Sequence, residues 1–476
     1  MFTFQDFEKS QNKVGFITSA IAEHVMSPAY QIARDADLYD RQRNKTINEY
    51  VRMLLTLSGA SVQDYTVSNN RIPCNFFHRL NTQRCVYLLG NGVSFTNTEE
   101  RPNGDGTTTT VDTTKERLGP KFDTDLKDAA YKALIHGVSF CFWGYDRLYV
   151  FPVTQFVPLW DEREGTLRAG IRFWRLAPDK PLTVVLYEED GYTKYQAESA
   201  SKDSGLNEVE PKRKYITYYQ VTEADQSEEV VGEDNYSSLP IVPLWGSSLH
   251  QSTLVGMQQA IDSYDLIRSG FANDLTDCAQ IYWIVKNCGG MTDADLSQFR
   301  DRLKMLHIAT VDDSDGGGVE PYVQEIPYQA RKTYLDGIRA GIYEDFGGLD
   351  VHTVAAGATN DHIDAAYQPL DEEADDFEYQ IIECIQQILA LIGIEDTPVF
   401  KRNRISNQRE QTEMVLSSAQ YLDEATVLSK LPFISPDEVS GILARKDMED
   451  KDRMTGGLPF GNDDEEEGGV TGNMEE

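Results

Sequence analysis

The sequence predicts an α+β chain, mainly helical, built as more than one domain. Three observations predict it. Two amphipathic helical runs, near 252–278 and 327–346, flank a compact insert, so the chain goes out along one helix and returns along another. Segments between Cys141 and Trp245 are rich in Val, Ile, Tyr, Phe and Trp and are separated by turn residues, as antiparallel strands are. The chain has 476 residues of which 40% are apolar, more than one ordinary core holds.

Residues 3–60 read as helical. Phe16, Ile17, Ala20, Ile21 and His24 share one face, and a second helix with Tyr50, Met53, Leu54 and Leu57 ends at Gly59. Phe76, Phe77, Leu80, Cys85, Val86 and Leu89 give a helix that Gly90-Asn91-Gly92 turns into a short extended piece. The Thr-, Gly- and Asn-rich stretch 96–116 reads as an exposed loop or thin hairpin tip. LKDAAYKALIHGVSF is an amphipathic helix ended by Gly137, and a meandering antiparallel sheet follows, with a hairpin turn at Glu189-Asp190-Gly191.

Pro240 and Pro243 close this body. The first long run then places Leu254, Met257, Ile261, Tyr264, Ile267, Phe271, Leu275 and Cys278 on one helix face. Asp262, Asp265, Asp274 and Asp277 accompany it, and a plain solvated face is one reading of them. The insert reads strand (IYWIVKN), a helix opened by a Thr292–Asp295 capping box and carrying Leu296, Phe299 and Leu303, then a hairpin of HIATV with VEPYVQEIP. The return run carries Leu335, Ile338, Ile342 and Phe346, and Gly347-Gly348 breaks it.

The longest helix follows. Ile363, Tyr367, Leu370, Ala374, Phe377, Ile381, Cys384, Ile388 and Leu391 alternate four and three, a seam that needs a partner surface along its length. Pro369 predicts a kink near 365–366, and Asp371, Glu372, Glu373, Asp375 and Asp376 predict an acidic outward face. PVFKRNRIS reads as a basic strand returning to the body sheet, helices are expected over 407–424 and 435–449 (Ser435 capping, Pro436 at N1), and an acidic disordered tail from about 450.

Composition removes several classes of function. A net charge of −34 is the wrong sign for a protein that grips phosphates, although it suits sliding contact with DNA. The six cysteines are scattered without a CxxC pair, as buried or free thiols of a reducing cytoplasm are. The first residues lack the basic-then-apolar layout of a signal peptide, and no run is long enough to span a bilayer. There is no GxxxxGK[ST] loop, no Gly-x-Ser-x-Gly elbow and no HExxH. His352 and His362 lack a third metal ligand, and Asp313, Asp315 and Gly316 lack the spacing and closing Glu of a calcium loop. No catalytic residue, metal or cofactor is predicted.

Three stretches then stand out together. NNRIPCNFFHRLNTQRCVYLLGNGVSF ends in Tyr87-Leu88-Leu89-Gly90. ALIHGVSF is followed by FVPLWDEREGTLRAGIRFW. LPIVPLWG leads into STLVGMQQAIDSYDLIRSGFANDL. With the helix–insert–helix, the small-residue loop and the long helix in this order, the chain resembles the tailed-bacteriophage portal proteins of the siphovirus-like kind.

The resemblance implies a wing at 1–245, a stem at 246–278 and 327–346, and an α/β clip at 279–326. It also implies a tunnel loop at 347–360, a long kinked wing helix and strand at 361–406, a crown at 407–450 and a tail at 451–476. It implies a homo-oligomeric ring, usually of twelve copies, at one capsid vertex of the virion. Such a ring is made in the host cytoplasm and is the channel for DNA packaging and ejection. The partners implied are the terminase large subunit, scaffold and major capsid protein, a head-completion or adaptor protein, and double-stranded DNA in transit. Rings of carboxylates would repel phosphates and centre the DNA. Asp262, Asp265, Asp274 and Asp277 on the first stem helix are the favoured lining, with Asp336, Glu344 and Asp345 on the second. Asp350, Val351, His352, Val354 and Ala355 would form the tunnel loop. Another head–tail connector ring is the alternative, though such adaptors are shorter and lack the out-and-back stem. A soluble acidic enzyme is a more distant one.

Overall fold

A computed structural model gives the fold. It describes all residues except 1, 56–58, 66, 103–107, 200–204, 222–227, 279–281, 287–291, 293, 296, 299–317, 323–326, 352–359, 405–407, 432–433, 435–438, 440, 444 and 447–476. The chain divides into two compact units, one of residues 1–350 with 367–404, the other of residues 351–366 with 405–476.

The first unit opens with helices α1 (Phe4–Lys9), α2 (Lys13–Met26), α3 (Pro28–Asp40) and α4 (Lys45–Glu49). Ser27 caps α3 through the Tyr30 amide, and Pro28 takes the first helical position, where its missing N–H costs nothing. The helix expected at Tyr50–Leu57 is instead a short hairpin, β1 (Met53–Leu55) paired with β2 (Ser61–Gln63). Of the residues on the expected helix face, Tyr50 and Met53 are exposed, so that spacing marks no buried helix face there. Gly59 still supplies the left-handed turn, at φ +79°.

Next come α5 (Phe76–Leu89), β3 (Val93–Phe95), the hairpin β4 (Thr98–Pro102) and β5 (Thr108–Asp112), α6 (Thr113–Leu118) and α7 (Phe122–His136). Gly137 stops α7 at φ +89°, where a side chain would be strained and would also strike the backbone of Gln251.

The expected meander exists, but it is one of several sheets. Strands β6 (Val138–Trp143) and β7 (Leu148–Pro152) pair with a later strand, β15 (Ile241–Trp245). Strands β8 (Phe156–Trp160), β9 (Leu167–Trp174), β10 (Thr183–Glu188), β11 (Gly191–Ala197) and β12 (Leu206–Arg213) form the meander in chain order. β13 (Ile216–Val221) and β14 (Glu228–Asp234) form a separate ribbon. The reason is the two-sided burial of the meander. Val184 and Leu186 of β10 face one core with Phe16, Ile17 and Ala20 of α2, whereas Val185 and Tyr187 face another with Phe140, Phe151 and Ile241 of the three-stranded sheet.

Helix α8 (Leu254–Cys278), strands β16 (Tyr282–Lys286) and β17 (Gly318–Tyr322), and helix α9 (Tyr328–Phe346) make the out-and-back element. β17 pairs with β16, the strand that opens the insert. HIATV, Leu296, Phe299, Leu303 and Asp313–Gly316 lie outside the described residues. The Thr292–Asp295 box forms, with each residue's backbone amide donating to the other's side chain.

Helix α10 (Asn360–Leu391) runs through Pro369, and its seam is buried from Tyr367 to Ile388. Phe377, Ile381, Cys384, Ile385 and Ile388 join Cys85 and Leu88 of α5, Leu126, Ala130 and Leu134 of α7, and Cys141 of β6 in one core. β18 (Pro398–Phe400) returns to β3, a different partner from the body sheet expected. Cys74, Cys85, Cys141 and Cys384 are buried free thiols.

In the second unit, α11 (Gln408–Ser418) and α12 (Glu424–Lys430) replace the single helix expected over 407–424. Asp423 restarts the helix by accepting the Thr426 amide, a stop-and-cap within that window. The cap expected at Ser435 and Pro436 lies outside the described residues.

Candidate functional site

The out-and-back helices pack on each other. Leu254, Met257 and Ile261 of α8 meet Ile342, Tyr343 and Phe346 of α9, with Ile338 and Tyr264 against the same core, on a base of Phe76, Phe77 and Leu80 from α5. Ring contacts extend the seam, Phe76 to Tyr264 at 5.0 Å and Phe271 to Tyr328 at 5.9 Å.

The opposite side of α8 is polar and serves the chain itself. Residues 70–74 run antiparallel along it as an extended cord. The amide of Asn70 donates to Asn273 Oδ1 at 2.5 Å, that of Ile72 to Ser269 Oγ at 3.0 Å, and that of Cys74 to Asp265 Oδ1 at 2.7 Å. Alternate amides thus meet successive helical turns. The spacings match, since two extended residues rise about 6.6 Å and four helical residues about 6 Å. The cord needs no partner strand, because helix side chains supply its acceptors.

This geometry decides where the predicted lining residues lie. Asp265 is 0% exposed and also accepts from Asn44 Nδ2 at 2.5 Å, so it is enclosed within the chain. Burial pushes its carboxyl above the usual range against the pull of these hydrogen bonds. Asp262 accepts the hydroxyls of Tyr39 at 2.5 Å and Thr46 at 2.7 Å, and Asp274 is paired with Arg331 across the two helices. The Asp277 side chain lies outside the described residues. Asp336, Glu344 and Asp345 of α9 are exposed and carry no ion pair among the described residues.

The start of the predicted tunnel loop is clamped. Gly347 takes φ +66°, and the Gly348 and Gly347 amides donate to the carbonyls of Tyr343 and Glu344, a Schellman close of α9. Gln83 of α5 then holds the Leu349 backbone twice, donating Nε2 to its carbonyl at 2.9 Å and accepting its amide at 3.0 Å. Asp350 accepts two bonds from Arg339 at 2.8 Å, and Val351 is 57% exposed. His352, Val354 and Ala355 lie outside the described residues.

Two arginine hubs went unread in the sequence. Arg84 of α5, only 4% exposed, donates to the Phe346 carbonyl at the end of α9, pairs with Glu373 of α10 at 3.1 Å, and lies 4.2 Å over the Phe346 ring. Arg402 meets Asp371, Asp375 and Glu378, while Arg404 meets Asp371 and the Tyr87 hydroxyl. The acidic face expected to point outward is therefore largely matched by arginines. A signal was present: the basic KRNR run is the counterpart of the DEEADD run.

Three comparisons place the chain among known proteins. The family described as "Phage portal protein, SPP1 Gp6-like" matches residues 29–452. A portal protein of Clostridium phage phiCD119 is 28% identical over 218 residues, 44% of this chain and 48% of that protein, so the match spans about half of that relative's length. The portal protein of Bacillus phage SPP1 is 22% identical over 444 residues, 86% of this chain and 83% of its own. Among solved structures, the neck of a native GTA particle computed with C12 symmetry aligns at a TM-score of 0.36 with 9% identity, covering 76% of this chain and 90% of that one. The family match covers most of the sequence, and the chain belongs to the SPP1 Gp6-like family of phage portal proteins.

Proposed function

We propose that copies of this chain close into a ring at one capsid vertex, with the paired helices α8 and α9 as the wall of a channel for DNA packaging and ejection. The observation that carries this is the family match over residues 29–452 falling on a chain whose two stem helices share one core. The role is structural rather than enzymatic. The regions keep the boundaries set out above: wing, stem, clip, tunnel loop, long helix, crown and tail. Twelve copies are the expected number. The terminase large subunit, scaffold and major capsid protein, and a head-completion protein would dock on this ring, and double-stranded DNA would pass through without tight binding.

For the channel lining we infer a set without Asp265, which is fully buried, and without Asp262 and Asp274, which have partners within the chain. The flank of the stem away from α5 is the proposed lining. It carries exposed Gln259 and Ser263 of α8 and exposed Asp345 of α9. Its carboxylates would repeat around the axis and repel phosphates. Val351 would stand where the tunnel loop begins. The test is electron microscopy of the purified chain. Rings with a central hole are expected, and a monomer at every concentration would refute the reading.

A further inference from the structure

We propose that neighbouring copies meet head to tail through an arginine edge beside the cord on one copy and the outer face of α9 on the next. This rests on the ring reading above.

The charges of the first unit are sorted by direction. Around the α3–α4 turn and the cord, five aspartates have partners within the chain, while Glu49 at the end of α4 is exposed. Asp35 pairs with Lys45, Asp37 with His136, Asp40 with His78 and Tyr131, and Asp262 and Asp265 with their neutral donors. Arg41, Arg43 and Arg79 stay outside, exposed, and no ion pair ties them among the described residues. They share one edge: Gln42, between the first two, donates to the Pro73 carbonyl of the cord at 2.8 Å, and His78, next to Arg79, reaches Asp40, next to Arg41, at 2.9 Å.

Helix α9 is sorted the other way. Its arginines turn inward, Arg331 to Asp274 and Arg339 to Asp350. Asp336 and Glu344 remain exposed without an ion pair among the described residues. In a protein of net charge −34, exposed arginines thus lie beside the cord, and exposed carboxylates lie on α9, which also carries exposed Lys332.

The two lie on opposite flanks of the stem. On α8, residues 265, 269 and 273 face the cord and 262 faces α3 and α4, whereas 257, 264 and 271 on the other side face α9 or the core below it. On α9, Ile338, Ile342 and Phe346 turn in, so Thr333, Gly337, Ala340 and Glu344 turn out, and all four are exposed. Opposite flanks of opposite charge suit a heterologous, ring-closing contact. Gly337 adds to this. A Cβ there would meet nothing within 4 Å, so the protomer gains nothing for the roughly 1 kcal/mol a mid-helix glycine costs, whereas a chain lying close against α9 would.

The test reverses the charges in the full chain and reads particle mass by mass photometry, with negative-stain end views. Arg41→Glu with Arg43→Glu, and separately Asp336→Lys with Glu344→Lys, should each raise the concentration needed for rings by about tenfold or more. All four changes in one chain should restore them. Thermal melting matched to wild type shows that each variant folds. Where one does not, the neutral pair Arg41→Gln with Arg43→Gln replaces it, and its rings should fall apart at lower salt. Unchanged ring formation in the reversed chains, or no rescue in the fourfold chain, overturns the contact and leaves the portal reading intact. Rings that persist but lose DNA would mean that the arginines serve phosphate instead, and also overturn it. A wild-type chain that never forms rings overturns the portal reading itself.

Discussion

Asp265→Ala tests the cord directly. The carboxylate accepts the Cys74 amide at 2.7 Å and the Asn44 amide group at 2.5 Å, and it is fully buried. Removing it strands the Cys74 amide, at about 1–3 kcal/mol, and leaves Asn44 Nδ2 with only its bond to the Cys74 carbonyl at 3.1 Å. Part of this is returned, because a buried carboxyl whose pKa is raised was itself unfavourably placed. A net loss of about 2 kcal/mol follows, which is an opening equilibrium about 30-fold larger, and exchange faster to match, where the cord lies on α8. Hydrogen exchange is the assay, read at the Ile72 and Cys74 amides, with Ser263→Ala on the exposed side of α8 as control. Local exchange is preferred to a global melt because a chain of two units need not unfold in one step. Unchanged protection at Cys74 in Asp265→Ala would refute the reasoning, and so would an equal loss in the control.

Three further outcomes follow from the same packing. Phe377→Ala empties a fully buried site between α10, α5 and α7 and should cost about 3–5 kcal/mol in urea unfolding. Gly347→Ala should cost about 1–2 kcal/mol by thermal melting, since φ is +66° there and the new Cβ would lie 2.7 Å from Glu373 Cγ. Asp371 is pulled up by burial, but hydrogen bonds from Tyr87, Arg404 and Arg402 outweigh this and hold its pKa below the ordinary carboxylate value. A carboxyl depressed in the folded state stabilises above its unfolded pKa, and that stability is lost as pH falls through the depressed value. Arg402→Gln should therefore flatten the acid side of the stability–pH curve, and an unchanged acid limb would contradict the role given to this hub.

Long-range order was legible where one periodicity met one core. The α10 seam from Tyr367 to Ile388 and the pairing of Ile261 with Ile338 came from spacing, because each stripe is buried in one continuous core. Gly137 and Gly347 were legible because only a residue tolerant of positive φ ends a helix that way. The fate of the α8 acids was not. A polar stripe looks the same whether water or a backbone cord satisfies it, and the one clue was uncharged Ser269 and Asn273 in register with Asp262 and Asp265. The β1–β2 hairpin was missed because helical spacing at Tyr50 and Met53 says nothing about whether a surface exists to cover it. The split of the sheets was missed because alternation along β10 shows two buried faces without showing what covers each.

The central claim is that α8 and α9 stand side by side with copies of themselves around an axial hole. Cryo-electron microscopy of the assembled full chain, averaged down the particle axis, tests it most directly. The account predicts a closed ring with both stem helices bordering the opening. Stem helices at the outer rim, or particles with no opening, would contradict it.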